Sequence, residues 1–145
     1  MTGSAAEQEK AVAGADFRHV SAWIFDLDNT LYRADNGVFA QIERRMTDYV
    51  MRILDLEREA AWVRQKDLYR RYGTTLNGLM QEHGCDAEDY LNFVHDIDLS
   101  SLIPDGDLAA ALAALPGRRF VFTNGCRVHA ARILARLEMD HLFEE

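Results

Sequence analysis

Three features of the 145-residue sequence predict an α/β fold, with a parallel sheet and a helical segment inserted into it. A short apolar run, Val20 to Phe25, breaks abruptly into the polar turn Asp26-Leu27-Asp28-Asn29-Thr30. A second, Arg119 to Thr123, breaks in the same way into Asn124-Gly125 and is followed by helical spacing. Between them, residues 36–100 place apolar side chains at intervals of three and four, the period of helices that pack on one face. Strands near both ends, with helices between and after them, imply parallel pairing through a crossover. Ligands of such sheets sit at the carboxyl ends of the strands, where both polar clusters fall.

Each element follows from local signals. Val20–Phe25 reads as a buried strand running out into a turn. Val38, Ile42, Met46, Tyr49, Val50 and Ile53 form one stripe of a long helix, with Arg44, Arg45, Asp48 and Arg52 between them. A second helix is predicted from Glu57 to Tyr72 and stopped by Gly73, and a shorter one from Leu76 to His83 ends at Gly84. Asp86 is a natural N-cap for a helix over 87–95, and Asp105 for an alanine-rich helix ended by Pro116-Gly117. A last helix runs from Arg127 to about Leu137. The predicted organisation is a polar tail over 1–17, an α/β core over 18–35 and 101–145, and a helical cap over 36–100.

Composition bounds the partners. Apolar residues make up 48% and charged residues 28%, the balance of an ordinary globular chain. A net charge of −8 disfavours nucleic acid, because no excess of cations is available to displace counterions from a phosphate backbone. No apolar run approaches the roughly 18–20 residues that span a bilayer, and residues 1–17 contain no hydrophobic stretch of signal-peptide type. A cytoplasmic location is expected. Cys85 and Cys126 fit no metal spacing and read as reduced thiols.

The polar clusters suit phosphoryl transfer. Asp26, at a strand end, can attack phosphorus and become an aspartyl phosphate. A carboxylate and a phosphate repel each other, so a cation between them is expected, and magnesium takes oxygen ligands of this kind. Asp28 can protonate the leaving alkoxide and then deprotonate the attacking water, help typically worth about 10²–10⁴-fold. Thr123 and backbone N–H groups near Asn124 can hold phosphate oxygens, with the following helix directing its positive end to the same place. An isolated Asp-x-Asp is also a common turn or cap pattern, and Thr-Asn-Gly a common turn, so the surrounding residues must decide.

Those residues carry a family resemblance. Phe25-Asp26-Leu27-Asp28-Asn29-Thr30-Leu31-Tyr32 resembles the first motif of the haloacid dehalogenase (HAD) superfamily, and Phe120-Val121-Phe122-Thr123-Asn124-Gly125 resembles its second. The helical insert stands where that family's subfamily I places its cap on a Rossmannoid sheet. Tyr72-Gly73-Thr74-Thr75-Leu76-Asn77-Gly78-Leu79 and Val94-His95-Asp96-Ile97-Asp98 are similar to segments of its pyrimidine 5′-nucleotidase branch. The resemblance covers residues 20–145 and implies Asp26 as nucleophile and Mg²⁺ ligand. It implies Asp28 as acid/base and second metal ligand, through its backbone carbonyl, and Thr123 with Asn124 as the phosphate site. An acid at position 28 favours phosphate esters over haloacids. The implied activity is a magnesium-dependent phosphomonoesterase acting on pyrimidine nucleotides. The alternatives are a sugar-phosphate or phosphoglycolate phosphatase, a phosphomutase, or a non-catalytic fragment that only binds or assembles.

The family pattern is incomplete here. No lysine follows Thr123, since the only lysines are Lys10 and Lys66, and the later acids are Glu138, Asp140, Glu144 and Glu145. The family's later strand and its acids are missing, which implies an incomplete sheet, weak activity and self-association through an exposed sheet edge. Within the cap, Tyr69, Tyr72, Thr75 and Asn77 are candidates for touching a base or sugar, although packing between helices or facing solvent is the more common role for each. His95 and His129 have no partner identifiable in the sequence and read as structural.

Overall fold

A computed structural model describes residues 16–144. The expected tail therefore lies outside the described residues except for Asp16 and Phe17, as does Glu145. The fold is mixed α/β, with a two-stranded parallel sheet and six α-helices among the described residues. Strand β1 (Ala22–Phe25) pairs with β2 (Arg118–Val121) in the register Ala22↔Arg118 to Phe25↔Val121. Between them come α1 (Val38–Leu54), α2 (Arg58–Tyr72), α3 (Thr75–His83), α4 (Ala87–Val94) and α5 (Gly106–Ala114), and α6 (Arg127–Arg136) follows β2.

Asp86 and Asp105 cap helices as the sequence predicts, and Thr74 and Cys126 are further caps. The side chains of Thr74, Asp86 and Asp105 accept hydrogen bonds from the backbone N–H of Asn77, Asp89 and Leu108, at the starts of α3, α4 and α5. Cys126 does the same for α6 through its sulfur, which accepts from the N–H of His129. Gly117, with φ +85°, turns the chain into β2 so closely that a Cβ there would lie 2.5 Å from the carbonyl oxygen of Ser21. Only glycine suits both that backbone region and that approach.

Two apolar clusters hold the chain together. The first contains Leu27, Leu31, Val38, Ile42, Ile133 and Leu137, with Phe25 and Val121 packed on it from the inner face of the sheet. The second contains Tyr49, Val50, Ala61, Leu68, Leu79, Tyr90 and Val94 from α1 to α4. Helix α1 runs through both, Val38 and Ile42 in one and Tyr49 and Val50 in the other. A buried hydrogen bond from Thr47 Oγ1 to Gln65 Oε1, 2.6 Å, joins α1 to α2. Arg132 and Arg136 on α6 reach back to the carbonyls of His95, Ile97, Leu99 and Ser100, fixing the segment that returns from α4.

One expectation is corrected. Val20–Phe25 does not make a buried strand: its outer face is open, with Ile24 71% exposed and Phe122, just past β2, 75% exposed. The apolar run predicts burial, but the helices cover only the face carrying Phe25 and Val121.

Candidate active site

Leu27 organises the turn after β1. Its side chain is fully buried in the first cluster, and its carbonyl accepts from the N–H groups of Thr30 and Leu31 at 3.2 and 3.0 Å. With Leu27 held inward, Asp26 and Asp28 both reach the cavity at the strand ends. Asn29 takes the left-handed backbone, φ +58°, that closes the turn, a conformation Asn tolerates better than most residues.

Each carboxylate has one oxygen tied. Thr30 Oγ1 donates to Asp26 Oδ2 at 2.8 Å. Tyr32 Oη donates to Asp28 Oδ1 at 2.6 Å, and His129 Nε2 lies 2.9 Å from the same Oδ1. Burial works to raise the pKa of the Asp28 carboxyl, but the hydrogen bonds from His129 and Tyr32 oppose it, and the net shift is downward. Burial and the bond to Asp28 push the Tyr32 phenol upward, so it remains a donor.

Across the sheet, Phe122 N–H donates to Phe25 O at 2.8 Å and extends the ladder one step, bringing Thr123 beside the first turn. Thr123 Oγ1 accepts from Gly125 N–H at 3.0 Å. A Cβ on Gly125 would fall 2.9 Å from Cδ2 of His129, so glycine lets this turn sit against the ring.

Asp26, Asp28, Thr123, Asn124 and Thr75 all line one cavity of about 710 Å³. The opposite wall comes from the helices and mixes apolar Phe39, Met46 and Leu91 with Glu43, Lys66, Tyr69 and Arg70. Lys66 Nζ is paired with Glu43 at 2.7 Å. Tyr72 and Asn77 are not brought to the cavity. The Tyr72 hydroxyl donates to Glu82 at 2.8 Å, and the Asn77 amide donates to the carbonyl of Tyr72 at 2.9 Å. Both side chains secure the joint between α2 and α3. Thr75 is nearly buried, its hydroxyl 3.5 Å from the carbonyl of Gln65.

Sequence reasoning missed Tyr32, His129, His95, Lys66 and Arg70 as site residues. His129 is fully buried and meets Asp28 across 101 positions of sequence. A local signal existed: His129 occupies the third position of α6, whose N-terminus faces the strand ends. Its ring stacks on His95 with centroids 4.1 Å apart and planes 14° apart. Lys66 and Arg70, one helical turn apart on α2, supply the cavity's cations where the sequence had suggested a deficit.

His95 predicts a pH effect. Burial lowers its pKa from 6.5 to about 4. The folded protein keeps it neutral while the unfolded chain protonates it, so its stabilising contribution is complete above pH 6.5 and is lost as pH falls to about 4. The thermal midpoint is expected to fall across that window, and His95→Asn to flatten the fall. An unchanged slope in the variant would contradict this.

The donor set for a metal is oxygen only. Asp26 and Asp28 stand together, and no group of three or more His, Cys, Asp and Glu that could hold an ion occurs among the described residues. Magnesium commonly takes one or two carboxylates and completes its shell with phosphate oxygens and water, which this pair suits.

Fold and site together define a mixed α/β chain with two aspartates and a threonine turn converging on a cavity at the strand ends. No family model matches the chain. It is similar to phosphate metabolism protein 8 of Saccharomyces cerevisiae, 26% identical over 132 residues, a match covering 84% of this chain and 41% of the yeast protein. Among the described residues, no helix is long and apolar enough to cross a membrane.

Proposed function

We propose that this chain carries the catalytic aspartates of a magnesium-dependent phosphomonoester hydrolase of HAD type, acting through an aspartyl phosphate on pyrimidine nucleoside 5′-monophosphates. The observation that carries the reading is the convergence of Asp26, Asp28 and Thr123 on one cavity, with an oxygen of each aspartate unengaged by described residues. The similarity to a protein named for phosphate metabolism supports it.

Asp26 Oδ1 attacks phosphorus while the phosphate rests on Thr123 and the N–H groups of its turn. The ester oxygen departs with a proton from Asp28. Asp28 rests ionised, and the arrival of a phosphate beside it favours uptake of that proton from solvent. Ionised again, it takes a proton from water, whose oxygen attacks the aspartyl phosphate, releasing inorganic phosphate and restoring Asp26. Magnesium, held by Asp26 and the backbone carbonyl of Asp28, would neutralise charge between carboxylate and phosphate. Arg70 adds positive charge on the helical wall of the cavity, where Lys66 is paired with Glu43.

A panel of UMP, CMP, AMP, phosphoglycolate and a hexose phosphate tests the substrate class. Release of phosphate is expected to be slow and magnesium-dependent, and fastest with UMP and CMP. A preference for the sugar phosphate or phosphoglycolate would remove the nucleotide assignment and leave the chemistry standing.

A further inference from the structure

We infer that Tyr32 and His129 are positioning residues that occupy Oδ1 of Asp28 and thereby assign proton transfer to Oδ2. The inference rests on the reading of Asp28 as acid and base.

Both donors reach the same atom: Tyr32 Oη lies 2.6 Å and His129 Nε2 2.9 Å from Oδ1. Oδ2 has no hydrogen-bond partner among the described residues, and it faces Gly125, where even a Cβ would stand 3.8 Å away. One side of the carboxylate is closed and the other open.

The tautomer of His129 follows from its surroundings. The residue is fully buried and its Nδ1 has no hydrogen-bond partner. A proton on Nδ1 would leave a buried donor without an acceptor, whereas a bare nitrogen there is the smaller loss. The proton therefore sits on Nε2, directed at Asp28.

Placing a proton on Oδ1 would set it against two donors, Tyr32 O–H and His129 Nε2–H. Placing it on Oδ2 leaves both bonds intact. The ring cannot turn to accommodate the first case, because His95 is stacked on one face and Gly125 lies against its edge. Tyr32 is likewise held, 8% exposed within the first apolar cluster. Asp28 thus presents one oxygen, in one orientation, to the leaving group.

A merely structural loss would slow all substrates alike, whereas a misdirected acid slows only those whose leaving group needs a proton. The experiment compares kcat for para-nitrophenyl phosphate, whose phenolate departs unaided, with kcat for a simple alkyl phosphate. In Tyr32→Phe and His129→Leu, kcat for the alkyl ester is expected to fall roughly tenfold or more, with KM little changed and the nitrophenyl ester much less affected. His129→Gln, which returns an N–H near Nε2, is expected to recover most of the loss. Equal falls on both esters would overturn the inference. Tyr32→Phe removes one oxygen and keeps the ring, so it serves if His129→Leu fails to fold.

A second measurement needs no turnover. Nitrogen-15 NMR of the histidine-labelled chain, in an Asp26→Asn background, is expected to show His129 protonated on Nε2 and bare on Nδ1. Protonation on Nδ1 would overturn the inference while leaving the phosphatase reading untouched. Failure of that reading shows separately, as Asp26→Asn retaining turnover, and would remove the basis of both.

Discussion

Asp26→Asn is expected to lower turnover of any phosphomonoester to background, a loss on the order of 10⁴-fold or more, as when a covalent nucleophile is removed. The amide oxygen of Asn can still accept from Thr30, which now holds Asp26 Oδ2 at 2.8 Å, so the turn keeps its shape. The side chain is exposed at the cavity rather than buried in the core, so stability should move by no more than about 0.5 kcal/mol. Loss of activity with an unchanged unfolding midpoint is the signature of a nucleophile. Magnesium-dependent turnover surviving at more than a few per cent would assign the attack to another group.

Leu27→Ala carries the largest expected cost in stability. Leu27 is fully buried and touches the cluster that β1, α1 and α6 share. Truncating a buried leucine costs about 2–5 kcal/mol, the higher values where neighbours cannot close the gap. Against a typical total of about 5–15 kcal/mol, that is a large fraction. The urea midpoint should fall with an unchanged slope. Because Leu27 lies between the two aspartates, the same change should also reduce turnover in the fraction that remains folded. Leu68→Ala, equally buried but in the second cluster, provides the comparison. It should lower the midpoint by a similar amount and spare the chemistry more. A Leu27→Ala chain as stable as the parent would mean that the turn is not anchored through this side chain.

Much of the secondary structure was legible because its signals are local. Gly73 and Gly84 end helices, and Asp86 and Asp105 start them, through bonds spanning no more than a few residues. The convergence of Asp26, Asp28 and Thr123 was legible because parallel strands bring their carboxyl ends together. What surrounds Asp28 was not legible. The bond to Tyr32 spans four residues and is visible only once the turn's geometry is known, and the bond to His129 depends on how α6 docks. The helical wall of the cavity was harder still. Tyr72 and Asn77 stand in a segment that invites a ligand role, yet they are absorbed by Glu82 and by the α2–α3 joint. Tyr69, Lys66 and Arg70 reach the cavity because of the rotation of α2, which the second cluster sets through Leu68 and Ala61.

The central claim is covalent capture of phosphorus by one named oxygen. It is tested most directly by brief incubation of the chain with magnesium and acetyl phosphate, reduction with borohydride, and peptide mass spectrometry. An acyl phosphate at position 26 is reduced to homoserine, so the account predicts homoserine at Asp26 and aspartate retained at Asp28. Conversion at Asp28 instead, or at neither position while phosphate is released, would contradict it.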